Sequence, residues 1–178
     1  MATAIPETGT GAEKPVSARD VGLTVREFQP GDEAAFRQLN EEWIVRYFKL
    51  EPKDEHALKH PQEVILDKGG RIFFALRDGS IIGCCALLAM EPGEFEVAKM
   101  AVTPYARGGG VGWHLLNAVV EAAKRDGVKR LYLETNHALT PAIRLYKAVG
   151  FTAVPEERVV PSPYARADVF MEIWLRED

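Results

Sequence analysis

A glycine-rich stretch from Arg107 to Gly112 carries the residues whose spacing most clearly suggests chemistry. Four of the five positions from Gly108 to Gly112 are glycine, and an amphipathic segment follows directly. Glycine leaves main-chain amides accessible, and a helix N-terminus presents unpaired N–H groups with a partial positive charge. Such a loop suits the oxygens of a phosphate or diphosphate, and Arg107 adds a charged donor at its entrance. The alternative is a turn that only lets a strand pack against a helix.

Two known types of phosphate-binding loop can be compared with this stretch. A nucleoside-triphosphate loop ends in Gly-Lys-Ser/Thr, whereas Gly112 is followed by Trp113 and a histidine, which excludes that type. A dinucleotide fingerprint would use Gly108, Gly110 and the acidic Glu134, but Trp113 occupies its third glycine position. A dinucleotide-dependent oxidoreductase therefore stays an alternative.

Hydrophobic periodicity predicts the elements that position this loop. A strand over 95–103 leads into it, a helix runs over 110–127, and a second strand follows over 128–135. A strand, helix and strand in this order form a right-handed crossover, so the two strands should be parallel. Strands over 71–77 and 81–89 precede the first of them and should form an antiparallel meander with it. The other predicted elements are strands over 23–28, 151–154 and 168–175 and helices over 32–48 (capped by Asp32), 54–67 (interrupted at Pro61) and 140–150.

The composition fits one globular domain. The chain has 178 residues, of which 47% are hydrophobic and 27% charged, and its net charge of -4 argues against nucleic acid or an anionic membrane as a partner. Residues 1–20 contain few large apolar side chains, so we expect a flexible tail followed by a domain over 21–178. The sequence shows no export or membrane-spanning signal, and the adjacent Cys84 and Cys85 are poorly placed for a disulfide with each other. We therefore expect a cytoplasmic protein.

Three motifs together resemble the GCN5-related N-acetyltransferase (GNAT) family. The stretch Arg107 to Gly112 matches the family signature Arg/Gln-x-x-Gly-x-Gly/Ala, whose loop binds the pyrophosphate of acetyl-coenzyme A. The upstream AKMAVTP (98–104) and the downstream PAIRLYKAVGF (141–151) strengthen the match, the latter resembling Ala-x-x-x-Tyr-x-x-x-Gly-Phe. The resemblance covers nearly the whole chain after the tail. It implies an α/β (α+β) domain with a mixed, mostly antiparallel sheet, one splayed parallel strand pair and helices on both faces.

The same resemblance implies acetyl-CoA as cosubstrate and no metal. In the family, the strand before the glycine loop diverges from its parallel neighbour, and its main chain pairs with the pantetheine arm and the thioester carbonyl. By resemblance these main-chain groups belong to Met100, Ala101 and Val102. Asn136, at the end of the next strand, is a candidate to hydrogen-bond the pantetheine, although many members have an asparagine where this chain has Leu139. The loop residues implied to bind the cofactor are Arg107, Gly108, Gly109, Gly110, Val111, Gly112 and Trp113.

Two side chains are candidates for proton transfer. Acetyl transfer from a thioester to an amine needs a neutral amine and a proton for the departing thiolate. Tyr146 matches the family tyrosine near the coenzyme sulfur, and a phenol with a pKa of about 10 is protonated at neutral pH; a core tyrosine is the alternative. Glu96 resembles the family's strand glutamate that accepts the amine proton, with a solvated glutamate as the alternative. Strand periodicity puts Glu96 on the face of Met100 and Val102, unless a β-bulge between them reverses this relation.

Other reactive groups support further alternatives. His56 and His60 lie four residues apart on a predicted helix, where they could share a metal or line a solvated face. Cys84 or Cys85 could form an acetyl-enzyme, but no activating base is apparent and buried strand cysteines are common.

The acceptor is expected to bind where the first two helices cover the splayed sheet. Trp43, Tyr47 and Phe48 could line that pocket, and Glu42 or Glu55 could attract an ammonium group. The sequence thus predicts an N-acetyltransferase that moves acetyl from acetyl-CoA to a primary amine of a small molecule or peptide by direct attack in a ternary complex. A non-catalytic acyl-CoA-binding module with a sensory or regulatory role is the alternative. Dimerisation is common in the family, so a homodimer is kept open.

Overall fold

The computed structural model describes residues 22–176, so the predicted tail over 1–20 lies outside the described residues. In this part of the chain, seven strands form one sheet in the order β1-β2-β3-β4-β5-β7-β6. The strands are β1 Leu23–Glu27, β2 Arg71–Arg77, β3 Ser80–Ala89, β4 Glu94–Val102, β5 Arg130–Thr135, β6 Thr152–Ala153 and β7 Val169–Trp174. The α-helices are α1 Glu33–Tyr47, α2 Pro52–Lys59, α3 Val111–Arg125 and α4 Thr140–Val149.

The sheet is antiparallel except for one pair of strands. β2, β3 and β4 form the predicted meander, and β4 and β5 are parallel, as the crossover through α3 requires. Pairing between β4 and β5 covers Glu94, Phe95 and Glu96 of β4 and goes no further. Beyond that point β4 pairs with β3 and β5 with β7. The predicted splay of the parallel pair is therefore present.

Helices cover both faces of the sheet, each over its own core. On one face, Leu115, Leu116 and Val119 of α3 pack against strand residues such as Leu131. On the other face, Phe36 and Ile44 of α1 and Leu58 of α2 pack against Ile72 and Phe74 of β2, among others. The apolar stripe at three- and four-residue steps on α1 and α3 accounts for both layers. Among the described residues, no helix combines the length and apolar character needed to cross a membrane.

A β-bulge at Lys99 reverses the side-chain alternation of β4. Ala98 lies opposite Ala86 and Ala101 opposite Cys84, so two residues of β4 face the single intervening residue of β3. Lys99 has a left-handed backbone with φ of 51°. Met100 and Val102 consequently pack on the α3 face, whereas Leu88, the partner of Glu96, packs on the α1–α2 face. The expectation from simple periodicity that Glu96 shares the face of Met100 and Val102 is wrong.

Two helix N-termini differ in detail from the sequence prediction. Asp32 is the N-cap residue of α1, but its side chain makes no capping hydrogen bond, because its carboxylate accepts hydrogen bonds from Arg26 at 2.6 and 3.0 Å and from the Gln29 amide at 2.7 Å. The helical stretch predicted over 54–67 begins earlier, at Pro52. The predicted interruption at Pro61 is confirmed, because α2 ends at Lys59 and a single π-helical turn, Gln62–Leu66, follows Pro61. Proline at its first position and a capping box next to it favour the earlier start.

Candidate active site

The divergence of β4 and β5 opens a cavity of about 340 Å³, here called the splay cavity. Its walls come from α1, β4, the ends of β5 and α4, and the segment 164–167 that precedes β7. The structure brings most of the predicted site residues together in this cavity. Those that line it are Glu96, Met100, Ala101, Val102, Arg107, Asn136 and Tyr146.

The glycine loop adjoins the cavity at Arg107 and leads into α3. Gly108 and Gly110 have φ values of 74° and 81°, a region that favours glycine, and Gly110 is the N-cap of α3. Among the described residues, no main-chain carbonyl accepts a hydrogen bond from the amides of Gly108–Gly112. A Cβ added at Gly108 would meet no atom within 4 Å, so the loop surface is open at this point. The loop thus has the conformation and the unused donors that an anion requires.

Gly112 has a different role from the glycines before it. A Cβ at this position would lie 3.1 Å from Leu145 Cδ2 and 3.6 Å from Met100 Cε. Its bare backbone therefore lets α3 approach α4 and β4 closely. The packing explanation holds for this one glycine, while Gly108 and Gly110 are explained by their backbone conformation.

Tyr146 reaches the cavity from the α3–α4 face of the sheet. Its ring packs edge-on against Phe151, with 6.1 Å between ring centroids. Tyr146 is partly buried and packs against the hydrophobic core that contains Cys85. Burial, with a smaller contribution from the nearby Cys85, raises the pKa of the Tyr146 phenol above its usual value. The hydroxyl therefore holds its proton at neutral pH and can act as a donor.

Glu96 reaches the cavity from the α1–α2 face. Burial is the main cause that raises its pKa to about 7, the charge of Glu134 adds to the effect, and Lys99 and Lys53 oppose it. A carboxylate with a pKa near the ambient pH can both take up and release a proton, which suits a general base.

Asn136 lines the cavity, but its side chain is also engaged within the chain. Its Nδ2 donates to the Arg166 carbonyl at 2.7 Å, and its Oδ1 accepts from the Ala138 amide at 2.8 Å. The side chain thus joins the end of β5 to the segment before β7. Leu139 lines the same cavity. Binding of pantetheine by Asn136 stays a prediction.

A buried charge cluster beside the cavity was not predicted from the sequence. Asp54 of α2 is fully buried and accepts from Lys99 Nζ at 2.7 Å and from both terminal nitrogens of Arg166 at 2.8 and 2.9 Å. Lys99 also donates to the Tyr164 hydroxyl at 3.1 Å. Burial alone would raise the pKa of Asp54, but Arg166 and Lys99 hold it below its usual value. The sequence contained one local signal, the acidic capping box Glu51–Asp54; the cationic partners are distant in sequence.

The remaining candidates separate into two groups. Trp43, Tyr47 and Phe48 line the splay cavity, as expected, whereas Glu42 and Glu55 are not among its lining residues. His56 and His60 stack with 5.3 Å between ring centroids, and no group of three or more metal-binding side chains occurs within 22–176.

The two cysteines are poor nucleophiles in this structure. Both are fully buried, and burial raises the pKa of Cys84 to about 12 and the pKa of Cys85 further still. Thiolate formation is therefore suppressed at neutral pH, which disfavours an acetyl-enzyme.

Comparisons with known proteins agree with this fold. Residues 35–151 match the profile of the Acetyltransferase (GNAT) family. The chain is 30% identical over 148 residues to the mycothiol acetyltransferase of Thermomonospora curvata, a match that covers 80% of this chain and 48% of that protein. A GNAT-family acetyltransferase from Staphylococcus aureus Mu50 has the same fold, with a TM-score of 0.78, 19% identity and coverage of 86% of this chain and 99% of that one.

N-acetylglutamate synthase from Neisseria gonorrhoeae, solved with coenzyme A and N-acetyl-glutamate, also shares the fold. The TM-score is 0.66 at 22% identity, over 87% of this chain and 35% of that one. The chain therefore belongs to the GNAT family of acetyltransferases. It spans about half the length of the curated relatives it matches.

Proposed function

We propose that this chain transfers an acetyl group from acetyl-CoA to a primary amine by direct attack in a ternary complex. The observation that carries the proposal is the position of Glu96 and Tyr146, which line one cavity from opposite faces of the sheet. A base on one side and an acid on the other suit an amine that enters from the α1–α2 face and a thiolate that departs toward the α3–α4 face.

The chain has donors that fit the cosubstrate. The open loop surface at Gly108 and the unused amides up to Gly112 suit a diphosphate, and Arg107 supplies a nearby positive charge. Val111 and Trp113 lie in the first turn of α3, and we assign them to the cofactor site with the loop. We assign the main chain of Met100–Val102, which β5 leaves unpaired, to the pantetheine arm and the thioester carbonyl. Acetyl-CoA supplies the activated acetyl group.

The chain's own groups then move the protons. Glu96 removes a proton from the acceptor amine, directly or through a water molecule. The amine nitrogen forms a bond to the acetyl carbon, and the bond from that carbon to sulfur breaks. Tyr146 donates its phenolic proton to the departing sulfur, and the proton held by Glu96 returns through solvent to the phenolate, which restores both groups. The main-chain groups of Met100–Val102 that β5 leaves unpaired orient the carbonyl during this exchange.

The proposal is tested by two measurements on the purified chain. Isothermal titration should detect coenzyme A binding at micromolar concentrations, with about one molecule per chain. Release of free thiol from acetyl-CoA should then be followed across a panel of primary alkylamines, amino acids and short peptides. Turnover with an amine is the expected result. Binding without turnover of any acceptor would favour the non-catalytic acyl-CoA module, and failure to bind coenzyme A would contradict both.

A further inference from the structure

Lys99 occupies the bulge of β4 in a backbone conformation that its residue type rarely adopts. Within the part of the chain that the structure describes, Lys99 and Asp78 are the two non-glycine residues with a positive φ, at 51° and 50°. Asp78 lies in the tight turn between β2 and β3, where such a conformation is usual. Lys99 lies inside a strand, so a specific contact is needed to compensate for its unfavourable backbone.

The bulge decides which face of the sheet each later residue of β4 occupies. Val97, Met100 and Val102 pack in or against the core beneath α3. Ala101, by contrast, belongs to the core beneath α1. The spacing of three residues between Val97 and Met100, in place of two, is the effect of the bulge. In a regular strand the Lys99 side chain would point into the apolar core beneath α3, and Met100 and Val102 would change faces.

In the bulged strand the Lys99 ammonium instead reaches a buried carboxylate on the other face of the sheet. Its Nζ lies 2.7 Å from Oδ1 of Asp54 on α2 and donates to the Tyr164 hydroxyl at 3.1 Å. The same Nζ lies 4.9 Å from the centroid of the Tyr164 ring. Burying an ammonium in an apolar core without a partner is strongly unfavourable. The ion pair with Asp54 therefore favours the bulged strand over the regular one.

The Asp54 carboxylate is a rigid partner for this contact. Its Oδ1 accepts from Lys99 and from Arg166 Nη2, while its Oδ2 accepts from Arg166 Nη1 at 2.8 Å and from the Glu51 amide at 3.2 Å. Four donors thus fill its acceptor sites. The Asp54 side chain is fully buried, and Leu58 fixes the same helix in the core beneath α1.

The main chain of Lys99 is held less firmly than its side chain. The Lys99 carbonyl accepts from Cys84 Sγ at 3.4 Å, and this sulfur accepts from Asn40 Nδ2 at 3.3 Å. A thiol is a weak donor and a weak acceptor, whereas a hydrogen bond between two charged groups is strong. The ion pair with Asp54 is therefore the stronger of the two contacts.

We propose that the ion pair with Asp54 selects the bulged register of β4 and makes Lys99 a positioning residue for the main chain of Met100–Val102. This inference rests on the proposed function, which assigns that main chain to the pantetheine arm and the thioester carbonyl. Without the ion pair, a residue with ordinary backbone preferences at position 99 lets β4 return to regular alternation. The N–H and C=O groups of Met100–Val102 then change direction and no longer suit the cosubstrate.

The variants Lys99→Ala and Lys99→Gly form a matched pair that differs by one methyl group. Both lose the ion pair and the charge that lowers the pKa of Glu96, so these effects are common to the two. Glycine adopts a φ of 51° without strain, whereas alanine does not. In thiol-release assays we expect the kcat of Lys99→Gly to exceed that of Lys99→Ala at least about fivefold. A smaller ratio would overturn the proposal, because a role in stability alone predicts equal kcat once both variants are folded.

Asp78 provides the control for the backbone effect itself. Asp78→Ala and Asp78→Gly change a residue with nearly the same φ in a turn that the proposed reaction does not use. The two variants should differ in urea unfolding but have equal kcat. A kcat ratio at Asp78 similar to that at Lys99 would assign the effect to stability and contradict the positioning role.

Crystal structures of the variants without ligand separate this inference from the proposed function. Lys99→Gly should keep the bulge and the pairing of β4 with β3. In Lys99→Ala, residue 99 should have a negative φ and Met100 should leave the face of α3. Lys99→Met, which keeps a long side chain, takes the place of Lys99→Ala if that variant does not fold. A change of register without turnover in any variant would support this inference and contradict the proposed function alone. A bulge that persists without the ion pair in the alanine or methionine variant would overturn this inference, whatever the turnover.

Discussion

Glu96 and Tyr146 line the same cavity but belong to opposite faces of the sheet. Tyr146 packs with the core beneath α3, whereas Leu88, the partner of Glu96 on β3, packs with the core beneath α1. The gap between β4 and β5 gives both side chains access to this cavity. In the proposed reaction this arrangement keeps the base and the acid on separate sides of the reacting carbonyl.

Replacing Glu96 should remove the base and its pH dependence. Because the pKa of Glu96 is raised to about 7, the active carboxylate form accumulates as pH increases through that value, so kcat/KM should rise with pH there. Glu96→Gln should lower kcat/KM by about 10²–10⁴-fold and abolish this limb of the profile. The measurement is a thiol-release assay between pH 5.5 and 9. This range extends about 1.5 pH units or more on either side of the pKa of Glu96. A variant that keeps the same limb would assign it to another group.

Replacing Tyr146 should affect chemistry more than binding. Tyr146→Phe keeps the ring that packs against Phe151 and removes only the hydroxyl. We expect kcat to fall by about 10²-fold or more while the Kd for coenzyme A stays within threefold. Thiol-release assays give kcat, and titration calorimetry gives the Kd for coenzyme A. Unchanged kcat would restrict Tyr146 to a packing role.

Gly108 offers a test of the loop with a matched control. An alanine there gains no contact within 4 Å but must adopt a φ of 74°, which costs about 1–2 kcal/mol. Gly79, in the turn between β2 and β3, has a φ of 80° and equally open surroundings. Gly108→Ala and Gly79→Ala should therefore lose similar stability in urea unfolding, but only Gly108→Ala should weaken coenzyme A binding. Equal affinities for coenzyme A in the two variants would remove the loop from the site.

Asp54 should be a major contributor to stability. Asp54→Asn leaves the buried Lys99 and the half-buried Arg166 without their shared carboxylate, which should cost about 3–5 kcal/mol of unfolding free energy. Glu55→Gln removes an exposed pair with Lys59 on the same helix and should cost no more than about 0.5 kcal/mol.

The contribution of Asp54 also has a defined pH dependence. Its folded-state pKa lies below the unfolded value of about 3.9, so its stabilisation is complete above that value and is lost as pH falls through the folded pKa. The difference between the unmodified chain and Asp54→Asn, measured by urea unfolding, should shrink in this acidic range. A difference that stays constant down to pH values of about 2 would contradict the assigned ion pairs.

Local patterns were sufficient to predict most of the sheet. β2 begins and ends where the apolar run 71–77 does, and the crossover rule correctly made β4 and β5 parallel. The glycine-rich stretch likewise precedes a helix, and α4 ends at Gly150, where the helix predicted over 140–150 stops. Each of these features depends on residues that are close together in the sequence.

Features that depend on distant partners were not predictable in the same way. The bulge at Lys99 is defined by the register with β3, so the face of Glu96 could not be assigned from alternation alone. The side chain of Asp32 binds Arg26 instead of capping α1. Asp54 and Arg166 meet only because the segment before β7 folds over α2.

A crystal structure of the chain with coenzyme A tests the central claim most directly. We predict that the diphosphate lies within hydrogen-bonding distance of the Gly108–Gly112 amides, with the sulfur between the diverging strands beside the Tyr146 hydroxyl. A coenzyme bound elsewhere, or a sulfur outside the gap between β4 and β5, would contradict the account.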